Sequence, residues 1–254
     1  MADTSRPLFI PVLLGTVRRG RMSQPAAQLV HAELARRAGV ETELIDIATL
    51  PLRIDDAGEA IKMPAYAAAM ERADGLVIVS PEYNHGYSGL LKHVLDSCLK
   101  EYIHKAVGIV GVSAGSFGGT RTIENLLPVM RELGLATIFY DVNIGKVGRV
   151  FSPDGTLLDE AVVRRSDRFI RELMWMSKTL RHGREHITID DEAAERPVRT
   201  ICPMCGDAMT HHADKIIPAA AANDAEVVVA AAHTCGGCGF QMATLSSAPA
   251  DDVQ

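Results

Sequence analysis

Short apolar runs alternate with amphipathic segments over most of the chain, and this alternation constrains the fold more than any other feature of the sequence. The runs at 8–14, 75–80 and 106–113 are almost entirely apolar, which is typical of strands buried on both faces. Weaker patterns predict two further strands, at 41–47 and 136–142. Because helical segments separate the strands, we expect an α/β fold in which helices cover both faces of a five-stranded parallel sheet.

Capping residues and apolar stripes set the expected limits of the helices. Ser23 is a candidate N-cap, and Pro25 follows in the first turn, where a helix tolerates proline. An apolar stripe predicts a helix over 88–102. Another helix is expected over 120–133, with an interruption or kink at Pro128.

The composition changes after the last helix of this pattern, which is predicted over 158–182 with Gly183 as a natural stop. The segment that follows is polar and acidic, and the next one holds four of the five cysteines. The predicted organisation is an α/β domain at 1–183, a linker at 184–199, a metal module at 200–245 and a disordered tail at 246–254.

Composition excludes several classes of function. The net charge is −6 and aromatic residues make up 5% of the chain, so we expect no nucleic-acid partner. The apolar run that begins at Leu8 is too short for a signal peptide or a membrane span, and five cysteines are too few for a secreted disulfide scaffold. We therefore expect a cytoplasmic protein with no membrane partner.

The loops at the carboxyl ends of the strands are the candidate site, because open parallel sheets bind their ligands there. The loop at 15–23 places three arginines and the hydroxyls of Thr16 and Ser23 directly before a helix. Arginine side chains and the positive end of a helix dipole both favour a phosphate. The Gly-Lys-Ser/Thr of a Walker loop and the Gly-x-Gly-x-x-Gly of a dinucleotide site are both missing.

Two more loops follow the third and fourth strands. The loop at 81–89 combines tyrosines with polar groups, which suits a planar heteroaromatic ligand with one stacked face. In the loop at 113–119, three glycines allow the main chain to approach a ligand closely. Taken alone, each of the three loops is also compatible with an ordinary surface turn.

Together these motifs resemble the NADPH-dependent FMN reductases, flavodoxin-like proteins that include chromate, quinone and azo-dye reductases. The resemblance covers about residues 8–182. The matching motifs are Gly15-Thr-Val-Arg18 with Ser23, an intact Pro-Glu-Tyr-Asn at 81–84, Gly89-Leu-Leu-Lys92 and the glycine-rich turn at 113–119. The chain departs from the family pattern at Thr16, Gln24 and Ser88, where the family has Ser, Asn and Pro.

The resemblance implies a flavodoxin-like fold with bound FMN, which passes hydride from NAD(P)H to a quinone, flavin, chromate or azo-type acceptor. It implies no catalytic side chain, and it implies a homodimer or homotetramer. The residues expected at the FMN phosphate are Thr16, Arg18, Ser23, Gln24 and Pro25. Those expected along the isoalloxazine are Pro81, Glu82, Tyr83, Asn84 and His85, with Ser113, Gly115, Ser116, Phe117 and Gly118 at its other edge.

Two alternatives remain open at this point. One is a flavodoxin-like electron carrier or binding module without NAD(P)H turnover of its own. The other is a small serine esterase, because Gly111-Val-Ser113-Ala-Gly115 matches the nucleophile elbow Gly-x-Ser-x-Gly. In that case Asp141 or Asp159, followed by His182, would supply the chain order Ser, Asp, His.

The last motif is a pair of cysteine knuckles, Cys202-Pro-Met-Cys205 and Cys235-Gly-Gly-Cys238. Four thiolates at this spacing can close a tetrahedral metal site, and the segment resembles a zinc ribbon. Iron in a rubredoxin-like site is the alternative. Zinc is favoured because Phe240 is the only aromatic residue between 200 and 245, whereas a rubredoxin has an aromatic core.

Overall fold

The computed structural model describes residues 6–187, 201–218 and 226–249. The chain divides into two compact units, 1–187 and 188–254, which are considered separately below. None of the described helices combines the length and apolar character that a membrane crossing requires.

The first unit is built on a parallel sheet. Its strands are β1 (Leu8–Phe9), β2 (Val12–Leu14), β3 (Val40–Glu41), β4 (Leu44–Asp46), β5 (Gly75–Pro81), β6 (Lys105–Val112), β7 (Leu135–Thr137) and β8 (Val142–Ile144). The order across the sheet is β4-β2-β5-β6-β7, with β8 also paired to β6, and β1 pairs with β3. This is the flavodoxin-like architecture, and it confirms the predicted fold class.

Helices cover both faces of the sheet. They are α1 (Ser23–Ala35), α2 (Pro64–Arg72), α3 (Gly89–Asp96), α4 (Thr120–Glu132), α5 (Val147–Val150) and α6 (Ala161–His186). Apolar side chains of α1 and α6 form one core against the sheet, and those of α2, α3 and α4 form a second core on the opposite face. Burial on both faces explains why β5 and β6 are apolar almost throughout.

Three predicted strands are split in the structure, and the one predicted at 41–47 becomes β3 and β4. The run at 8–14 breaks at Ile10–Pro11, where proline lacks an N–H, and the two halves pair with different neighbours. The strand predicted at 136–142 is instead β7 and β8, which pair in turn with the first and last thirds of β6. The segment between them leaves the sheet, and the Phe139 N–H donates to Glu172 Oε1 at 2.9 Å.

The helix predictions need four corrections. The helix predicted over 88–102 ends at Asp96, although the buried stripe continues through Cys98 and Tyr102. The last helix passes through Gly183 and ends at His186, because Arg184 is held in place by the His104 carbonyl and by Asp74. Helix α2 was not predicted, since its alanine-rich sequence carries only a short apolar stripe. The helix predicted over 120–133 is present as α4, but it continues through Pro128 without the predicted interruption.

The second unit contains an antiparallel sheet. Strands β9 (Met209–Pro218), β10 (Glu226–Cys235) and β11 (Gln241–Pro249) pair in the order β11-β10-β9, with an irregularity between Ala232 and His233. Cys202, Met209 and Cys235 form a small buried cluster at one end of this sheet. Residues 184–186 of the predicted linker belong to α6, and residues 246–249 of the predicted disordered tail belong to β11. The linker from 188 onward and the tail from 250 onward lie outside the described residues.

Candidate functional site

The carboxyl ends of β2, β5 and β6 surround a cleft of about 310 Å³. All three loops singled out in the sequence contribute to it. The residues that line the cleft are Arg18, Gly20, Arg21, Met22, Ser23, Pro81, Glu82, Tyr83, Val112, Ser113, Ala114 and Val147.

The loop after β2 is tied to the rest of the sheet by backbone and side-chain hydrogen bonds. The Gly15 N–H donates to the Val79 carbonyl at 2.9 Å, and the buried Ser88 hydroxyl donates to the Gly15 carbonyl at 2.9 Å. A Cβ at Gly15 would lie 2.8 Å from the end of the Leu91 side chain and 3.2 Å from the Val79 carbonyl oxygen, so the close approach of α3 favours glycine here. Thr16 is buried, and its hydroxyl bonds the Tyr83 hydroxyl at 2.8 Å, which links the first and second loops.

The arginines of this loop have different environments. Arg21 donates to the Thr16 carbonyl at 2.5 Å and forms an ion pair with Asp46 at the carboxyl end of β4. Arg18 is exposed, and within the described ranges its guanidinium has no hydrogen-bond or ion-pair partner. Asp46 lies at the end of a predicted strand, and this position is the signal in the sequence that an arginine of the neighbouring loop could pair with a carboxylate.

Ser23 is not the N-cap that the sequence predicted. Met22 occupies that position and Ser23 is the first residue of α1, so its hydroxyl is not used for capping. The side chain is 1% exposed, and its Oγ has no hydrogen-bond partner in the part of the chain that the structure describes. A buried hydroxyl without a partner at a helix N-terminus is a group that a bound anion can satisfy.

Gln24 and Pro25 do not line this cleft. They line a neighbouring groove of about 200 Å³ between the start of α1 and the turn at 153–155, and Gly20, Arg21 and Met22 border both cavities. The backbone turns at Ser23 into α1, which directs the next two side chains away from the cleft.

The second loop closes on itself in a tight turn. The N–H and carbonyl groups of Tyr83 and Gly86 exchange hydrogen bonds of 2.8 and 2.9 Å. Asn84 and His85 lie between them in the left-handed region, with φ of 47° and 67°. Their side chains are exposed and do not line the cleft, although the sequence reasoning had placed both along the ligand.

Helix α4 fixes this turn from the opposite side. Thr122 Oγ1 donates to the Gly86 carbonyl at 2.7 Å, and Asn125 Nδ2 donates to the His85 carbonyl at 2.9 Å. Arg121 forms an ion pair of 2.6 Å with Glu82, a residue of the cleft wall. Sequence reasoning missed Arg121, because nothing in the pattern of α4 connects it with a loop almost forty residues earlier.

In the third loop, the Ser113 hydroxyl forms hydrogen bonds with the backbone of the same loop. Ser113 Oγ donates to the Gly115 carbonyl at 3.0 Å and accepts from the Gly118 N–H at 2.9 Å. Gly119 has φ of 76°, and a Cβ there would be 2.5 Å from the Val112 nitrogen, so only glycine fits. Ser113 lines the cleft, but four other predicted residues of this loop do not: Gly115, Ser116, Phe117 and Gly118.

This geometry contradicts the esterase alternative. The Ser113 hydroxyl is engaged with its own loop, at the carboxyl end of β6. His182 lies near the end of α6, where the neighbouring Arg184 contacts Asp74, which immediately precedes β5 at the opposite end of the sheet. A serine and a histidine at opposite ends of one sheet cannot form a nucleophile–base pair.

The four cysteines of the second unit come together as predicted. Their four Sγ atoms all lie within 4.8 Å of one another, and they belong to Cys202, Cys205, Cys235 and Cys238. The Cys202–Cys238 and Cys205–Cys235 sulfur distances are 3.5 and 3.4 Å. Edges of about 3.8 Å are expected for a tetrahedron with metal–sulfur bonds of about 2.3 Å, so the donor set fits a tetrahedral thiophilic metal.

The two knuckles have the same backbone pattern. Gly206 N–H donates to the Cys202 carbonyl and Gly239 N–H donates to the Cys235 carbonyl, both at 2.9 Å, and both glycines have positive φ. The Cys238 N–H, the Cys205 thiol and the Gly237 N–H lower the pKa of the Cys235 thiol, whereas the neighbouring thiols raise the pKa of Cys205 and Cys238. N–H groups directed at sulfur favour the thiolate, which is the form that binds a metal.

Comparison with known proteins agrees with the geometry of the first unit. Residues 10–148 match the model of the NADPH-dependent FMN reductase family. An NAD(P)H-dependent FMN reductase of Pseudomonas aeruginosa is 30% identical over 168 residues, which cover 63% of this chain and 88% of that protein. A 2-hydroxy-1,4-benzoquinone reductase of a Burkholderia species is 35% identical over 122 residues, which cover 44% of this chain and 63% of that protein.

A solved structure shares the fold. The flavoenzyme NAD(P)H:(acceptor) oxidoreductase FerB of Paracoccus denitrificans superposes with a TM-score of 0.57 and 20% identity, over 67% of this chain and 98% of that one. The family match spans more than half of the chain and includes all three loops of the cleft. The chain therefore belongs to the NADPH-dependent FMN reductase family.

Proposed function

We propose that this chain is an FMN-dependent NAD(P)H oxidoreductase that reduces a quinone or azo-type acceptor, with flavin or chromate as further candidates. The observation that carries the proposal is the cleft itself, in which the loops after β2, β5 and β6 of a family member meet. The relatives named above reduce FMN and a hydroxybenzoquinone, which supports acceptors of the same classes.

The phosphate end of FMN is assigned to the loop after β2. Ser23 offers a buried hydroxyl that lacks a protein partner within the described ranges, and Arg18 offers a guanidinium without a competing carboxylate there. Both line the cleft at the start of α1, where the helix dipole favours an anion. Thr16 contributes through its bond to Tyr83, and Gln24 and Pro25 are assigned to the border of the phosphate site.

The ring end of FMN is assigned to the other two loops. Pro81, Glu82 and Tyr83 form one wall of the cleft, and Ser113 lies on the opposite loop. The tight turns at Asn84–His85 and at Gly115–Gly118 hold these walls in position. Their backbone groups and the wall residues would orient the ring and limit the access of water.

FMN held by these residues would supply the redox chemistry, namely hydride uptake from a reduced nicotinamide and two-electron reduction of an acceptor. The net reaction with a quinone consumes NAD(P)H, the quinone and one proton, and it yields NAD(P)⁺ and the hydroquinone. No side chain of the cleft is required as a nucleophile. The residues bind, orient and shield the reactants.

The decisive experiment is the absorption spectrum and steady-state activity of the purified protein. We expect flavin absorbance with one FMN per chain, together with NAD(P)H oxidation that depends on a benzoquinone. Flavin absorbance without pyridine-nucleotide turnover would instead favour the electron-carrier alternative. A colourless protein that takes up no added FMN would contradict the proposal.

We further propose that the second unit binds structural zinc through Cys202, Cys205, Cys235 and Cys238, with iron as the alternative. The four sulfurs are close enough for one tetrahedral ion. The described part of the unit contains a single aromatic residue, Phe240, and lacks the aromatic core expected around rubredoxin iron.

Metal analysis of the full chain tests this assignment. We expect one zinc per chain and no visible absorbance beyond that of flavin. Cys238→Ser should lower the zinc content, whereas Cys98→Ser should leave it unchanged because Cys98 is buried in the first unit. One iron per chain with a red colour would show that the site binds iron and not zinc. The absence of both metals would contradict the proposed metal site.

The protein is also proposed to form a homodimer or homotetramer. In the first unit, Leu99 and Ile103 are 51% and 41% exposed beside the end of α3. A groove of about 230 Å³ between α3 and α4 is lined in part by Pro128, Val129 and Leu133. Light scattering of the purified protein tests the assembly, and a monomeric mass would contradict it.

The working organisation is a reductase domain at 1–183 and a separate metal module at 200–245, joined by the segment between them. The use of NAD(P)H and of reduced cysteines fits the cytoplasm. Limited proteolysis followed by mass spectrometry tests the division, and the first cuts should fall at 184–199.

A further inference from the structure

An aromatic side chain is exposed on the loop that follows β6. Phe117 is 63% exposed, although it belongs to the loop whose first residues, Ser113 and Ala114, line the cleft. Covering a ring of this size removes a large apolar area from water, so an uncovered ring beside a ligand cleft is a surface that a second ligand can cover.

Arg121 connects this ring to the wall of the cleft. Its guanidinium carbon lies 5.0 Å from the centre of the Phe117 ring. One end of the guanidinium is fixed by the 2.6 Å ion pair with Glu82, which itself lines the cleft. The other end donates to His85 Nε2 at 2.8 Å. The Phe117 ring is therefore separated from the cleft wall by a single guanidinium held at both ends.

The polar groups of this patch favour an uncharged ligand that accepts hydrogen bonds. Glu82 balances the positive charge of Arg121. His85 accepts a hydrogen bond at Nε2, which places the proton of its neutral ring on Nδ1. Arg121 has five N–H donors, more than its bonds to Glu82 and His85 require. The patch thus combines an aromatic face with N–H donors and little net charge.

We propose that Phe117, Arg121 and His85 form the subsite that binds the ring of a quinone acceptor. The quinone ring stacks on Phe117, and one of its carbonyl oxygens accepts a hydrogen bond from Arg121 or His85. A quinone is planar and uncharged and has two acceptor oxygens, so it matches the patch in each respect. This inference rests on the proposed function, because the acceptor must reach a flavin in the adjacent cleft.

The test compares Phe117→Ala with Phe139→Ala in the full-length protein loaded with FMN. Phe139 is a matched control, since it is 83% exposed and lies after β7, away from the three loops. With saturating NAD(P)H, the KM for a benzoquinone should rise about tenfold in Phe117→Ala, which corresponds to ~1.4 kcal/mol. The kcat should change less than about twofold, and Phe117→Trp should restore the KM because it restores a ring.

Ferricyanide provides the second readout, because this acceptor has no aromatic ring to stack. Its reduction should be equal in the wild type and both alanine variants. Equal quinone KM values in Phe117→Ala and Phe139→Ala, with FMN and ferricyanide activity intact, would overturn the subsite alone. A wild-type protein without FMN or ferricyanide activity would overturn both the subsite and the proposed function.

Discussion

The two ends of the parallel sheet differ in how a central polar group is paired. At the amino end, Asp74 is fully buried and accepts hydrogen bonds from Arg6, from Arg184 and from the Phe9 N–H, with Arg181 at 3.6 Å. At the carboxyl end, the Ser23 hydroxyl and the Arg18 guanidinium have no partner among the described residues.

The difference separates stability from binding. A buried carboxylate surrounded by donors has its charge balanced and its hydrogen bonds formed within the chain, so it offers no free group to a ligand. Groups without partners at the mouth of a cleft contribute little to folding and can bind a phosphate. Both ends are polar and rich in arginine, and only the pattern of partners distinguishes them.

The largest expected effect comes from the amino end. Asp74→Ala leaves the buried guanidinium of Arg181 and the partly buried one of Arg184 without their carboxylate. The free energy of unfolding should fall by about 3–5 kcal/mol. Chemical denaturation measures the change, with Asp96→Ala as the control because Asp96 forms only a surface pair with Lys92. Comparable losses in the two variants would break the contrast between the ends.

A substitution at the carboxyl end should have the reverse profile. In Arg18→Ala, the FMN dissociation constant should rise by a factor equivalent to about 1.5–3 kcal/mol, which is typical of a hydrogen bond to a charged group. The unfolding free energy of the FMN-free chain should stay the same, since Arg18 is exposed. Fluorescence titration with FMN measures the affinity.

Arg19→Ala is the matched control for this variant. Arg19 is the next residue, is also exposed and does not line the cleft, so its loss should leave FMN affinity nearly unchanged. If Arg18→Ala bound FMN as tightly as the wild type, the phosphate assignment would be wrong.

The smallest effect is a pH dependence at the amino end. Lys105 is buried and donates to the carbonyls of Met70 and Glu71, and burial lowers its pKa to about 8 from an ordinary value near 10.5. Between these values the unfolded chain binds more protons than the folded one, so this group's contribution to stability rises with pH. From pH 7.5 to 10, the wild type should gain about 2 kcal/mol relative to Lys105→Met.

Thermal or chemical unfolding at several pH values measures this difference. Lys178→Met is the control, because Lys178 is exposed on α6, and its difference from the wild type should not change over the same range. If the difference in unfolding free energy between the wild type and Lys105→Met stayed constant with pH, the predicted titration of Lys105 would be wrong. Asp74 would then remain as the main electrostatic determinant at the amino end.

Local sequence was most informative where one chemical requirement acts within a short stretch. The apolar runs predicted β5 and β6 within one residue at each end, because strands buried on both faces are mostly apolar. The spacing of the four cysteines predicted the metal site for a similar reason, because each pair of cysteines lies within a single tight turn. Short strands such as β7 and β8 were less predictable, because pairing with β6 determines where they begin and end.

Within the candidate site, the sequence identified the loops better than the side chains. Arg18, Ser23, Pro81, Glu82, Tyr83 and Ser113 line the cleft as expected. Asn84 and His85 do not, because left-handed backbone conformations turn them outward, and no pattern of residue types reveals a φ angle at a non-glycine residue. Arg121 was not identified because its ion pair with Glu82 forms only after α4 has packed against β6 and β7.

By itself, the sequence determined the alternation of strands and helices, the three ligand loops and the two cysteine knuckles, since each follows from hydrophobic periodicity or from the chemistry of neighbouring residues. The tertiary structure alone decided which arginines are paired and which remain available. Arg21 pairs with Asp46, Arg121 with Glu82, and Arg184 with Asp74. Those partners are distant in sequence, and electrostatic attraction selects among them only after the sheet has brought its loops together.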